Sequence, residues 1–171
     1  LIDSFMPEGI TQLAVDSIFM MPQLGVLANI DKEEFKEDAK DASLEVFEKD
    51  CLIRLGTCIA PVGDVDKSTS MGYAELRFSD GEKQTIDLLE GALLVIEYPY
   101  KEVTVEIFPL KSIDIGAGKG EKIATTVYGG EVGIIFDCRN RPISVSDDSQ
   151  TRVQELKRWS DALNEYPKKA E

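Results

Sequence analysis

The residues with the clearest chemical potential are Asp137, Arg139 and Arg141, spaced two apart and followed by Pro142. A carboxylate beside two guanidiniums has two uses. The rigid arginine forks can grip a carboxylate or phosphate on a partner. Alternatively, Asp137 caps a turn by accepting backbone N–H bonds while the arginines pair with surface acids. Neither use supplies a nucleophile or an acid–base pair. Asn140 tolerates the left-handed conformation and Pro142 forces its predecessor out of helix, so the trio belongs on a stiff corner. Residues two apart along an extended segment point the same way, and a turn at Asn140 breaks that parity. One arginine is therefore expected to face inward, paired with Asp137 or another acid, and the other outward, free to meet a partner.

Other chemistry is scarce. Histidine is absent, which removes serine–histidine and cysteine–histidine nucleophile pairs and any histidine metal site. Cys51, Cys58 and Cys138 lack the spacing of a structural zinc knot. They read as reduced thiols, with a single disulfide left open, and Cys138 has Arg139 beside it to lower its pKa. Gly116-x-Gly118-x-Gly120 is followed by strand residues rather than the helix that would hold a phosphate, and reads as a mobile turn. Asp64-x-Asp66-x-Ser68, with Glu75 beyond, is like a calcium loop, but Thr69 stands where that loop requires glycine. No metal and no cofactor are expected.

The elements that must position the corner are mostly strands. Residues 123–128 and 131–137 are rich in β-branched and aromatic residues, and Gly129-Gly130 between them suits a tight hairpin turn. Gly133 marks a bulge or a close backbone approach. Upstream, strands are expected over residues 52–62, 71–78, 83–88, 92–98 and 102–108. Asp80-Gly81 gives the strongest short hairpin signal, and Val103, Val105 and Ile107 alternate with Thr104, Glu106 and Phe108. Residues 12–16 read as a strand, or as part of a helix using Ile10, Leu13, Ala14, Ile18 and Met21 until Pro22 stops it. The apolar run 18–28 is expected to pack against the sheet, or to form a seam against a further domain. An acidic, largely solvated helix is expected over 31–50, opened by a capping box of Asp31 and Glu34. A last helix begins at Asp147 or Asp148, with Val153, Leu156, Trp159 or Ser160, and Leu163 as the stripe that packs on the sheet.

These elements predict an α+β fold, mainly antiparallel β and barrel- or sandwich-like, with an N-terminal helical segment and a C-terminal helix on the sheet. The 171 residues suit a single domain with an N-terminal segment 1–50, a β core 51–146 and a helical tail 147–171. The chain starts at Leu1 and is expected to be excised from a longer protein. With 32 acidic against 19 basic residues, the net charge of −13 opposes binding to nucleic acid or an anionic membrane. The apolar run, broken by Pro22 and Gly25, is too short to span a bilayer. A cytoplasmic setting is expected.

Several motifs occur together in a telling order. They are Val15-Asp16, Met21-Pro22-x-Leu24-Gly25-x-Leu27-Ala28, Leu55-Gly56-Thr57-x-x-Ala60-Pro61-x-Gly63, Gly91, Gly116-x-Gly118, Thr126-Val127, Gly129-Gly130, Val132-Gly133, Asp137-x-Arg139-x-Arg141-Pro142 and Trp159. In that order they resemble the C-terminal region of the accessory protein family that accompanies glutamate mutase. This family is sometimes labelled MutL and is unrelated to the mismatch-repair protein of that name. Its members look like actin-type ATPases of the acetate kinase, Hsp70 and actin superfamily. The resemblance implies a chaperone or reactivating role towards an adenosylcobalamin-dependent mutase or aminomutase. It also implies that ATP chemistry lies in an upstream actin-like domain, so this chain would be non-catalytic and bind no cofactor. Its implied partners are the mutase and that ATPase domain. Where the family has Asp-Ala-Arg-Gly-Arg-Pro, this chain has Cys138 and Asn140, and Asn140 leaves less room for a ligand at its backbone. Two other readings stand beside this one. The first is an independent small-ligand or protein-binding β module; the second is an enzyme acting through two converging carboxylates. With the phosphate loop assigned to the upstream domain, calorimetric titration of Mg-ATP into this chain is expected to give no binding heat. Micromolar binding would overturn that division of labour.

Overall fold

The structure is a computed structural model that describes residues 2–28, 36–66 and 69–164. In chain order the elements are α1 (Ile2–Phe5), β1 (Gly9–Asp16), α2 (Met21–Ala28) and α3 (Lys36–Val46), the last running into one π-helical turn, Phe47–Cys51. Strands follow as β2 (Leu52–Ala60), β3 (Val62–Gly63), β4 (Ser70–Phe78), β5 (Lys83–Leu89), β6 (Leu93–Ile96), β7 (Glu102–Pro109), β8 (Ile113–Asp114), β9 (Ile123–Tyr128) and β10 (Gly133–Asp137). The helix α4 (Ser149–Asn164) comes last. The described residues up to Leu13 and from Leu55 onward form one compact unit, and those of Ala14–Arg54 form another.

In the larger unit, strict alternation builds an antiparallel sheet in the order β5-β4-β7-β9. Val103, Val105 and Ile107 of β7 are fully buried, while Glu102 before them and Thr104 between the first two are exposed. Asp80-Gly81 turns β4 into β5 as the sequence predicts. Arg77 faces Lys83, Gly81 N donates to Phe78 O at 3.0 Å, and Gly81 has φ +91°. A second sheet has the order β1-β2-β10-β6, with β10 parallel to β2 and antiparallel to β6. Ile59, Ile134 and Phe136 of this sheet share one core cluster with Met71, Leu76, Val105 and Ile107, so the two sheets enclose a common interior. The fold is α+β with mostly antiparallel sheets and no closed barrel; a two-stranded ribbon pairs β3 with β8.

The expected hairpin between residues 123–128 and 131–137 does not form. Both strands exist, but β9 pairs with β7 in one sheet and β10 lies between β2 and β6 in the other. All five residues of β10 are buried, so its apolar run suits a central strand covered on both faces rather than a hairpin arm with a wet side. Gly129-Gly130 instead crosses tightly over the end of β6. A Cβ at Gly129 would strike the Tyr98 and Pro99 carbonyl oxygens, and Gly130 N donates to Tyr98 O at 2.9 Å. Gly133 is the close approach that the sequence suggests, since a Cβ there would collide with the Ile96 carbonyl oxygen.

The last helix packs on the sheet through Trp159 as predicted, but Val153 and Leu156 of the expected stripe stay outside. Asp148 caps it, Oδ2 accepting from Thr151 N at 2.8 Å. Val153 and Leu156 are 64% and 48% exposed, whereas Trp159 is 6% exposed. The inward face is Arg152, Glu155, Trp159 and Ala162, the same i, i+3, i+4 spacing turned around the axis. Polar contacts drive this rotation: Trp159 Nε1 donates to Gly91 O at 2.7 Å, and Glu155 Oε2 accepts from Ser146 N at 2.8 Å. The Trp159 ring joins Ile2, Cys58, Leu93 and Ile135 in a second core cluster.

The strand reading of residues 12–16 holds, β1 starting in the larger unit and ending in the smaller one, where Pro22 opens a helix rather than ending one. Asp16 ends β1 and caps the turn into α2. Its Oδ2 accepts from Met21 N at 2.8 Å, and its Oδ1 from Met20 N at 3.1 Å and Ile18 N at 3.3 Å. Pro22 in the first helical turn has no N–H to satisfy there. The helix α2 packs against α3, and Ile18, Phe19, Met21 and Val26 of the apolar run are exposed. The capping box of Asp31 and Glu34 lies outside the described residues. No helix among the described residues is long and apolar enough to cross a membrane.

Replacing Trp159 by Ala is expected to lower stability by about 3–5 kcal/mol through the cavity it leaves. Trp159→Phe, which keeps most of the ring but loses the bond to Gly91, should cost about 1 kcal/mol. Urea midpoints measure both, and an unchanged midpoint for Trp159→Ala would refute the packing described.

Candidate functional site

The corner after β10 is built by Asn140. It adopts φ +65°, its Oδ1 accepts from Gly63 N at 3.1 Å and Arg141 N at 2.9 Å, and its Nδ2 donates to Gly63 O at 2.6 Å. Asparagine is among the few residues that take this conformation at modest cost, and here its amide also ties the corner to β3. The Arg141–Pro142 peptide is cis.

Asp137, Arg139 and Arg141 do come together. Arg139 meets Asp137 with a parallel fork, Nε to Oδ1 and Nη2 to Oδ2, each at 2.8 Å, and its backbone N donates to Oδ1 at 3.2 Å. Arg141 reaches the same carboxylate from the other side, Nη2 to Oδ2 at 3.0 Å. Its remaining donors go to backbone, Nε to Pro7 O at 3.1 Å and Nη1 to Asn140 O at 2.8 Å. Asp137 is fully buried, and the Arg139 and Arg141 side chains are 3% and 4% exposed. The expectation of one inward and one outward arginine therefore fails: the turn at Asn140 folds the second guanidinium back onto Asp137 instead of aiming it at solvent.

Two further participants, Asp3 and Pro7, carry no sequence signal, and a third, Trp159, is marked by the sequence only as a helix-stripe and motif residue. Asp3 of α1 bonds Arg139 Nη2 through Oδ1 at 2.7 Å, the Pro7 carbonyl takes Arg141, and the Trp159 ring lies 5.3 Å from the Arg139 guanidinium carbon. All come from parts of the chain far from the corner in sequence. The trio thus fastens α1 and the segment after it to the end of β10.

Burial alone would push the Asp137 carboxyl up, but the two arginines outweigh it and hold the group below the usual carboxylate range. Burial likewise opposes the Arg139 charge, and Asp137 and Asp3 more than restore it. An ionised Asp137 has no proton to donate at neutral pH, and both of its oxygens are already engaged. The arrangement is chemically a closed clamp. Among the described residues every buried side-chain nitrogen and oxygen has a hydrogen-bond partner.

The remaining sequence candidates fare differently. All three cysteines are free and buried. Cys138 is not activated by Arg139: burial foremost, then the Asp137 charge, push its thiol up to about 12, and Cys58 likewise to about 12. The Gly116–Gly118 amides are taken by Asp114, whose Oδ1 accepts from Gly116 N at 2.7 Å and Gly118 N at 3.1 Å. Among the described residues no group of three or more cysteines or acids is placed to hold a metal ion, and Ser68 of the calcium-like loop lies outside them. No family model, no curated protein and no solved structure matches this chain.

Because the folded pKa of Asp137 is depressed, its contribution to stability is complete above about pH 4 and is lost as the pH falls through the folded value. Asp137→Asn leaves buried Arg141 without a charge partner and Arg139 with Asp3 alone, and is expected to cost about 3–5 kcal/mol at pH 7. Urea midpoints at pH 7 and below pH 3 should show a large gap between wild type and variant at neutral pH that narrows in acid. A gap independent of pH would refute the ionised clamp. Arg139→Ala and Arg141→Ala should both lower the midpoint at pH 7.

Proposed function

We propose that this chain is a non-catalytic docking domain of an ATPase-linked accessory chaperone that serves an adenosylcobalamin-dependent mutase or aminomutase in the cytoplasm, its other partner being an actin-like ATPase domain of the same protein. The family assignment rests on the sequence resemblance. Its glycines at 129 and 133 and its Asp-x-Arg-x-Arg-Pro corner coincide with the close approaches and the clamp that this fold needs.

The observation that carries a docking role is the exposed apolar display around the Asp16 turn. Phe19 is 81% exposed and Ile18 59%, on a segment whose backbone is held by the Asp16 carboxylate rather than left loose. Val26 and Met21, 75% and 57% exposed, extend the display along α2. A fixed aromatic with aliphatic neighbours in water has the composition of a protein-binding hot spot. The net charge of −13 favours a basic face on the partner and an association rate that falls with salt.

Immobilised chain titrated with adenosylcobalamin-loaded glutamate mutase tests this reading. Saturable binding is expected, weakened at least tenfold by Phe19→Asp, which lies outside the core and should leave the unfolding midpoint unchanged. Absence of binding by the wild-type chain, or binding indifferent to Phe19→Asp, would count against it.

A further inference from the structure

The outer face of the sheet β1-β2-β10-β6 carries a cleft of about 220 Å³. One aliphatic side chain from each strand makes its floor: Leu13, Leu55, Ile135 and Val95. Ile2 and Asp3 of α1 stand at one side and Leu163 of α4 at another, so among the described lining residues Asp3 alone is charged. The volume exceeds the roughly 150 Å³ that accepts benzene in an apolar cavity and falls short of the range for drug-sized ligands. It suits an occupant of about six to ten non-hydrogen atoms.

Asp3 is an unequal partner for Arg139. Its side chain is 66% exposed, whereas that of Arg139 is 3% exposed and is already held in a two-bond fork by Asp137. The Asp137 pairing is built into the sheet; the Asp3 pairing is a single 2.7 Å contact made by a wet carboxylate on a one-turn helix. Arg139 does not line the cleft itself but stands directly behind Asp3, 2.7 Å from its Oδ1, so releasing Asp3 to water forfeits little desolvation and opens a way from the cleft to Nη2. A cation at one end and an apolar floor beyond it are the two halves of a site for an amphipathic acid.

We propose that this cleft binds a small aliphatic carboxylic acid, its chain lying on Leu13, Leu55, Val95 and Ile135 and its carboxylate replacing that of Asp3 on Arg139. Asp3 is then a tethered competitor that holds the cation when the site is empty. A monoanion fits better than a phosphate, because Asp137 behind Arg139 and the acidic chain as a whole oppose a second negative charge. The competitor sets a threshold that chain burial must overcome, each buried methylene raising affinity roughly fourfold. The site therefore selects for chain length. It lies in the unit without Phe19, so the inference is independent of mutase docking and favours the small-ligand reading of the sequence as an added property.

Sodium hexanoate titrated into the protein at pH 7 tests the proposal. The lone Trp159 beside Arg139 gives the fluorescence readout, and amide chemical shifts give the location. Hexanoate is expected to bind more tightly than butanoate by about an order of magnitude. Asp3→Ala should tighten hexanoate binding at least tenfold, leave hexan-1-ol binding unchanged and keep the thermal midpoint near that of wild type. Val95→Phe, which fills the floor, should abolish binding of both. The proposal is overturned if hexanoate binds neither the wild type nor folded Asp3→Ala, or if Asp3→Ala alters hexan-1-ol and hexanoate binding alike.

Discussion

One fully buried carboxylate, shared by two arginines, decides the arrangement of the larger unit. Asp137 sits at the end of the central strand β10, and three guanidinium contacts converge on its two oxygens. A buried ion group of this kind is retained only when every lone pair and proton has a partner, since each uncompensated charge in an apolar surrounding is expensive. The partners are what organise the neighbourhood. Arg141 reaches back to the Pro7 carbonyl, Arg139 holds Asp3 and lies over Trp159, and Trp159 in turn anchors α4 to Gly91. Gly91 N closes the circuit by donating to the carbonyl of Cys138, the residue next to Asp137. Segments from both ends of the described chain are thus referred to one atom pair on β10.

This clamp explains why the residues with the most chemical appearance are the least available for chemistry. Reactivity needs an unfilled valence of hydrogen bonding or an accessible face, and here both have been consumed by the fold. In the two proposals made above, binding is assigned to surfaces that the clamp leaves uncommitted. These are the apolar display held by Asp16, whose side chains are exposed, and the aliphatic floor beside Asp3, which is the open side of the cluster around Ile2, Ile135 and Trp159.

Strands whose information is local were legible in the sequence. The alternation Val103, Val105, Ile107 and the Asp80-Gly81 turn both specify structure within a few residues, and both appear as read. Pairing partners were not legible, because they are set by tertiary contacts. Gly129-Gly130 has the composition of a hairpin turn, yet the carbonyls of Tyr98 and Pro99 crowd it from the loop after β6 and decide the chain's path. The face of α4 is legible at Trp159 but not beyond it: hydrophobic count adds Val153 and Leu156, while the Trp159 and Glu155 hydrogen bonds turn those two outward. At the corner, residue types identified Asp137, Arg139 and Arg141 as a unit. Their orientation depended on Asp3, Pro7 and Asn140, and only Asn140 is close enough in sequence to be weighed.

The central position of β10 also sets the order in which the chain can acquire its structure. The sheet β5-β4-β7-β9 draws on a continuous stretch of chain and has all its members once Tyr128 is made. In the other sheet β2 and β6 are not neighbours; each must wait for β10, the last strand of all, to lie between them. During synthesis from the N-terminus, the buried edge of β2 at Thr57, Cys58 and Ile59 therefore spends the time needed to add more than seventy residues with no strand to pair with. An open, apolar edge is a template for any other extended chain. The arrangement that gives the finished molecule its best-covered strand makes the nascent one dependent on rapid, uninterrupted completion.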